Sequence, residues 1–185
     1  MNKAVFLDRD GVIIQEPPHY IYKLDQLKII PKSADAIKLL NLNDYKVIVV
    51  SNQAGVAYGY YLEKDVVSFN QSMREELMLR GAHIDAIYYC PHHPKAKVRK
   101  YRLDCDCRKP KPGMLKKAEK ELGIDLKSSY MIGDKKSDIE AGKSVGCKTI
   151  LVLTGYGMKE LERYNTRYDS SVANNLYDAV KKIIG

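Results

Sequence analysis

Two aspartates stand two residues apart in Asp8-Arg9-Asp10-Gly11, directly after the apolar run Ala4–Leu7. In extended chain such residues point the same way, and Gly11 allows the tight turn that keeps both at one rim. Two like charges so close need a cation. A third carboxylate, Asp134, follows another apolar run in Gly133-Asp134, with Lys135 and Asp138 after it. Asp8, Asp10 and Asp134 together read as an all-oxygen site for Mg²⁺, a hard ion that takes few carboxylates and leaves room for water and phosphate oxygens. An Asp-rich turn or helix cap is the plain alternative for the first pair. Ser51-Asn52-Gln53 closes a third apolar run, Val47–Val50.

A second constellation is Cys90-x-His92, twelve residues, then Cys105-x-Cys107. Three thiolates and one imidazole make the Cys₃His set that Zn²⁺ takes in closed structural sites. Buried or free cysteines beside a surface histidine would leave the long aperiodic segment Pro91–Pro112 without anything to hold it. That segment also carries most of the net charge of +8: eight Lys or Arg between Lys95 and Lys111, against Asp104 and Asp106. Its field favours an anionic partner if it is more than a solvated loop, and part of it offsets the negative zinc–thiolate cluster. Arg108 and Lys109 follow the last ligand directly, so zinc here would preorganise rather than catalyse.

The elements that must position these residues are readable from periodicity. Ala4–Leu7, Val47–Val50, Ala86–Tyr89, Tyr130–Ile132 and Thr149–Leu153 read as strands. Helices are expected over Ser33–Leu42, Glu63–Arg80, Gly113–Leu122, Ser137–Ser144 and Val172–Ile184. Pro31 with Ser33 is expected to start the first, Pro112 to sit in the first turn of the third, and Gly81 and Gly123 to close their predecessors. Met73 and Met78 read as core, Tyr58–Tyr61 as packing near Ser51, while His19, His83 and His93 receive no role. Alternation of apolar strands with helices predicts a doubly wound parallel α/β sheet, Rossmann-like, whose ligand lies beyond the carboxyl ends of the strands.

With 185 residues, 45% hydrophobic and 29% charged, one globular domain spanning 1–185 is expected, and disordered, collagenous and coiled-coil chains are excluded. No apolar run reaches the roughly 18 residues of a membrane span, and Ala4–Leu7 stops too soon for a secretory signal. A cytoplasmic protein without membrane partner is expected, with its four cysteines as ligands or free thiols rather than disulfides.

DRDG, Ser51, Lys109 and GDKKSD, in that order from Asp8 to Asp138, resemble the four motifs of the haloacid dehalogenase superfamily of phosphatases. The resemblance implies that Asp8 is the nucleophile that becomes an aspartyl-phosphate, and that Asp10 protonates the leaving oxygen and then activates water. It also implies that Asp8, Asp134 and the backbone carbonyl of Asp10 hold Mg²⁺. A phosphate dianion is repelled by a carboxylate unless positive charge neutralises the approach, which Mg²⁺ and Lys109 would supply, with the Ser51 hydroxyl as a further donor. Ser51 as a turn former and Lys109 as surface charge are the plain alternatives. Asp138 reads as an anchor for Lys109 or its loop.

CPHHP…CDCRKPKPGM and SNQAGVAYGYY are similar to the heptose bisphosphate phosphatases within that superfamily, over most of the chain. That similarity implies release of the 7-phosphate of D-glycero-D-manno-heptose 1,7-bisphosphate, substrate recognition by Arg108, and a substrate loop around Glu16. The residues expected at substrate are Glu16, Ser51, Asn52, Gln53, Arg108, Lys109 and Lys135. Glu16-Pro17-Pro18 is closer to relatives that hydrolyse histidinol phosphate, but those have a shorter metal loop and lack the Pro112-Gly113-Met114 that follows here. No large cap is inserted, so the zinc-binding loop would partly cover an open site. A different class, a basic zinc module stacking nucleic acid on Tyr88, Tyr89 and Tyr101, would leave DRDG and GDKKSD idle. The expected partner is a small phosphorylated sugar, with no nucleic acid, and a monomer.

Overall fold

A computed structural model describes residues 1–16, 20–164 and 171–185. Strands β1 (Ala4–Leu7), β2 (Lys46–Asn52), β3 (Ala86–Cys90), β4 (Tyr130–Gly133), β5 (Lys148–Val152) and β6 (Ser171–Ala173) form one parallel sheet in the order β3-β2-β1-β4-β5-β6. Helices α1 (Ser33–Leu42), α2 (Ala54–Tyr58), α3 (Glu63–Leu79), α4 (Gly113–Leu122), α5 (Lys136–Lys143), α6 (Gly157–Tyr164) and α7 (Leu176–Ile184) connect them. Among the described residues no helix is long and apolar enough to cross a membrane.

Side chains alternate across the strands, which gives the sheet two apolar faces. Val5, Leu7, Val47, Val49 and Ile132 share one core with Ile37 of α1, Phe69 and Met73 of α3 and Val180 of α7. Ala4, Phe6, Ile48, Val50 and Met131 face the other way, against Met114, Leu115 and Ala118 of α4 and Ala141 of α5. Burying each large apolar side chain contributes about 1.5–3 kcal/mol, and covering on both faces explains why the central strands carry almost no polar residue. The order of the strands reverses between β1 and β4, which opens a crevice beyond their carboxyl ends.

The expected doubly wound parallel sheet is present, with several corrections. A sixth strand, β6, pairs Val172 with Leu151, so the last helix does not begin at Val172. It begins at Leu176, where the Asn175 side chain accepts from the Asp178 N–H at 2.9 Å. Helices α2 and α6 were not expected. α1 does start at Ser33, as expected, with Lys32 at the cap position and the Ser33 hydroxyl donating to Val12 O at 3.3 Å. Pro112 is the cap residue of α4 rather than part of its first turn. Met73 is buried, but Met78 is 61% exposed: Leu77 occupies the inward stripe of α3, and one residue further lies about 100° around the helix. Pro17, Pro18 and His19 lie outside the described residues, so only Glu16 of the Glu16-Pro17-Pro18 segment is placed.

Candidate active site

Asp8 leaves β1 at the crevice, 5% exposed, and Lys109 arrives from the loop between β3 and α4. The Lys109 ammonium, 3% exposed as a residue, lies 3.0 Å from Asp8 Oδ1 and 2.6 Å from Asp138 Oδ1, and donates to Val50 O at 2.6 Å. Asp138 Oδ2 also accepts from the Lys135 N–H at 3.0 Å, so this carboxylate holds both Lys109 and the start of α5. Burial works to raise the Asp8 carboxyl, yet Lys109 and Lys135 outweigh it and hold Asp8 below the usual carboxylate range. Burial likewise disfavours the Lys109 cation, and Asp138 and Asp8 more than reverse that. Removing the ammonium would strand two buried carboxylates, a loss of about 3–5 kcal/mol.

Asp134 leaves β4 opposite Asp8 and is completely buried. Its Oδ2 accepts from the Tyr156 N–H at 2.8 Å, while its Oδ1 has no hydrogen-bond partner and lies 3.7 Å from Lys135 Nζ. Burial pushes this carboxyl up to about 9, with repulsion from Asp8 and Asp138 adding to it. An orphaned buried oxygen beside the carboxylates of Asp8 and Asp138 fits a hard cation: the three side chains offer oxygens within 4.8 Å of one another. Two glycines make room for the Asp134 carboxylate. Gly11 (φ 82°) and Gly155 (φ 57°) cross over Asp134, and a Cβ on either would collide with its carboxylate. The Thr154 hydroxyl ties the two turns by donating to Gly11 O at 2.6 Å.

A cavity of about 390 Å³ opens above these groups, with Asp8, Asp10, Lys109 and Asp138 in its lining. Tyr20, Tyr61 and Tyr156 form walls, together with Glu16 and Lys135. Lys135 Nζ contacts both oxygens of Glu16, at 3.0 and 2.9 Å, and stands 4.7 Å from the Tyr156 ring centre. Asn52 and Gln53 also line the cavity, but their amides are engaged. Asn52 accepts from the Lys109 N–H and donates to Lys109 O, both at 3.0 Å. Gln53 donates to Ser51 Oγ at 2.8 Å and to Asp10 Oδ2 at 3.1 Å, and accepts from the Tyr61 hydroxyl at 2.8 Å. Ser51 is buried behind that amide. Arg108 stands apart from this lining, on the neighbouring loop, donating to His92 O at 3.1 Å; its charge, after burial, lowers the His93 pKa.

The Cys/His set converges as its spacing predicts. Cys105 Sγ lies 3.4 Å from Cys90 Sγ and 3.0 Å from Cys107 Sγ, and His92 Nδ1 lies 3.4 Å from Cys107 Sγ and 3.9 Å from Cys90 Sγ. Disulfide sulfurs would stand about 2.05 Å apart, whereas a zinc tetrahedron with bonds of about 2.3 Å separates its sulfurs by about 3.8 Å. The donor set therefore fits a closed metal site. The loop is pinned elsewhere as well: Ala96 and Tyr101 pack on Val56, Ala57 and Tyr61, and Gly113 N–H donates to Asp106 O at 2.9 Å. The Tyr101 and Tyr89 hydroxyls both donate to Glu63, at 2.7 and 3.0 Å, which ties the loop to the start of α3.

Periodicity and motif spacing missed Arg9, Asn70 and the turn Thr154-Gly155-Tyr156, whereas Tyr61 packs beside the Gln53 that holds Ser51, as expected of Tyr58–Tyr61. The turn had a usable signal, since it follows β5 on the same edge as the other motif residues. Arg9 and Asn70 had none, being brought together across 61 positions of sequence.

Residues 106–179 match the HAD-hydrolase-like family. The fold and the site thus define a haloacid dehalogenase-like hydrolase. Over its full length the chain is 42% identical to the D-glycero-beta-D-manno-heptose-1,7-bisphosphate 7-phosphatase of Pasteurella multocida, covering 98% of that protein. Over 98% of its length it is 39% identical to the D-glycero-alpha-D-manno-heptose-1,7-bisphosphate 7-phosphatase of Photorhabdus laumondii, covering 96% of it. The D,D-heptose 1,7-bisphosphate phosphatase of B. bronchiseptica, solved with magnesium and phosphate, superposes with a TM-score of 0.87 at 31% identity, over 98% of this chain and 97% of that one. The chain belongs to the haloacid dehalogenase-like phosphatases, in the family of the heptose 1,7-bisphosphate 7-phosphatases.

Proposed function

We propose that this chain, as a single catalytic domain over 1–185, hydrolyses the 7-phosphate of D-glycero-D-manno-heptose 1,7-bisphosphate through an aspartyl-phosphate on Asp8. The observation that carries this is the pairing of a buried, ionised Asp8 with the Lys109 ammonium at 3.0 Å, at the sheet's switch point. Asp8 attacks phosphorus as the ester P–O bond breaks, and Asp10 gives its proton to the departing sugar oxygen. In the second step Asp10 takes a proton from water, whose oxygen bonds to phosphorus as the bond to Asp8 breaks, releasing phosphate. Lys109 neutralises charge on the transferred group.

Asp8 and Asp134, with the Asp10 carbonyl, would hold Mg²⁺, which when bound supplies Lewis-acid stabilisation of the phosphoryl oxygens. Cys90, His92, Cys105 and Cys107 would hold a structural Zn²⁺ that sets where Arg108 and Lys109 leave the loop. Glu16, Lys135 and Arg108 are assigned to the sugar and its remaining phosphate; Ser51, Asn52 and Gln53 border the transferred group. The reading includes a cytoplasmic monomer whose partner is a small phosphorylated sugar, without nucleic acid or membrane. The thiols are unbridged, as suits a reducing compartment.

The test is phosphate release from both anomers of the heptose bisphosphate, from histidinol phosphate and from an oligonucleotide 5′-phosphate. The heptose bisphosphates should be preferred, and Asp8→Asn should abolish turnover while the protein still unfolds in a single cooperative thermal transition. Preference for histidinol phosphate or the oligonucleotide would overturn the substrate, and an active Asp8→Asn the nucleophile.

A further inference from the structure

Arg9 has the largest side chain among those that are fully buried, at 1% exposure, and it is folded back onto its own neighbour. Its Nε donates to Asp10 Oδ1 at 2.9 Å and its Nη2 to Asp10 Oδ2 at 3.1 Å. Nη1 donates to Asn70 Oδ1, on α3, at 2.9 Å, and the guanidinium carbon lies 4.8 Å from the centre of the Phe69 ring. The far side of Asp10 is held too, by the Gln53 amide on Oδ2 at 3.1 Å, itself fixed by the Tyr61 hydroxyl.

Burying a guanidinium is expensive, and an apolar residue against Phe69 would serve stability as well or better. The position therefore calls for a reason other than packing. Two parallel N–H donors on one carboxylate fix its plane, which a single ammonium cannot do. A carboxylate oxygen accepts about two hydrogen bonds. Oδ2 takes two donors, from Arg9 and Gln53, whereas Oδ1 takes one. Oδ1 is the oxygen with room for a proton.

We propose that Arg9, braced by Asn70, is a positioning residue that sets the Asp10 carboxyl for proton transfer through Oδ1. This rests on the assignment of Asp10 as acid and base. In the first step the proton leaves Oδ1 for the ester oxygen as the P–O bond breaks and Asp8 bonds to phosphorus. In the second step Oδ1 accepts a proton from the attacking water. A carboxyl free to rotate would miss the leaving oxygen, and the loss would be largest where that oxygen most needs a proton.

The readout is the dependence of kcat/KM on the leaving group, measured on metal-loaded protein with aryl phosphates of increasingly acidic phenols and one alkyl phosphate. General acid catalysis contributes about 10²–10⁴-fold, so Arg9→Lys should lose about tenfold or more on the alkyl phosphate and little on the most acidic phenol. Asn70→Ala should steepen the dependence in the same direction, by less. Asp10→Asn is the reference and should steepen it most. If Asp10→Asn leaves the slope unchanged, the acid assignment fails and this inference with it. If Asp10→Asn steepens it while folded Arg9→Lys and Asn70→Ala lose activity equally on all substrates, or lose none, Arg9 is structural and the proposal is overturned. Should Arg9→Lys not fold, the Asn70→Ala slope decides.

Discussion

Asn52 grips the peptide of Lys109 from both sides, accepting from its N–H and donating to its carbonyl, each at 3.0 Å. The side chain at the end of β2 thereby fixes the backbone from which the Lys109 ammonium reaches Asp8 and Asp138. Asn52→Ala should leave two peptide groups unpaired at a partly buried site, a destabilisation of about 1–3 kcal/mol. It should also lower turnover on every phosphate ester alike, since Lys109 acts on the transferred group. Thermal unfolding and kinetics on two unrelated esters check this; a substrate-selective loss would instead put Asn52 in direct contact with the sugar.

Asp134 is the group most dependent on a bound cation, since its Oδ1 is buried without a hydrogen-bond partner. Mg²⁺ at a hundred times its Kd should stabilise the protein by about 2.7 kcal/mol, and Asp134→Asn should erase that increment while leaving the metal-free protein at least as stable. Gly155→Ala should weaken Mg²⁺ binding as well, because its Cβ would strike the same carboxylate. Thermal shift across a Mg²⁺ titration gives the answer; an undiminished shift in Asp134→Asn would remove Asp134 from the metal site.

One zinc per chain is expected, bound by Cys90, His92, Cys105 and Cys107. Cys107→Ala should release it, lower the unfolding temperature and raise KM, as the loop that carries Arg108 and Lys109 loosens. Elemental analysis of protein purified without chelator checks the stoichiometry, and absence of zinc would contradict the assignment.

Arg108 is fastened to the zinc loop through His92 O, outside the lining of the central cavity. It should meet the part of the substrate that is not cleaved. Arg108→Lys should reduce kcat/KM on the bisphosphate by about tenfold, near 1.4 kcal/mol, and change an aryl phosphate much less. Equal losses would bring Arg108 to the reacting phosphate.

Strand tips were legible where a fully apolar run ends in a polar residue, as at Leu7-Asp8 and Gly133-Asp134, because burial on both faces leaves no polar residue within the strand to confuse the boundary; β2 instead runs past the apolar Val47–Val50 through Ser51 to Asn52, which pair with Tyr89 and Cys90. The Cys/His set was legible because spacing constrains a four-ligand site. β6 was not, since three residues are too few to show a period and its order depends on pairing with β5. The wiring of Arg9 to Asn70, Asn52 to Lys109 and Thr154 to Gly11 joins residues 61, 57 and 143 positions apart, and side-chain types alone do not reveal which polar groups the fold will pair. For the same reason the sequence shows Asn52 and Gln53 near the site but not the hydrogen bonds that their amides make there, to Lys109, Ser51 and Asp10.

The most direct test follows the two phosphates of D-glycero-D-manno-heptose 1,7-bisphosphate by ³¹P NMR in the presence of the Mg²⁺-loaded protein. The 7-phosphate resonance should give way to inorganic phosphate while the 1-phosphate persists, and neither should change with Asp8→Asn. Loss of the 1-phosphate, or survival of both in the presence of active protein, would contradict the account.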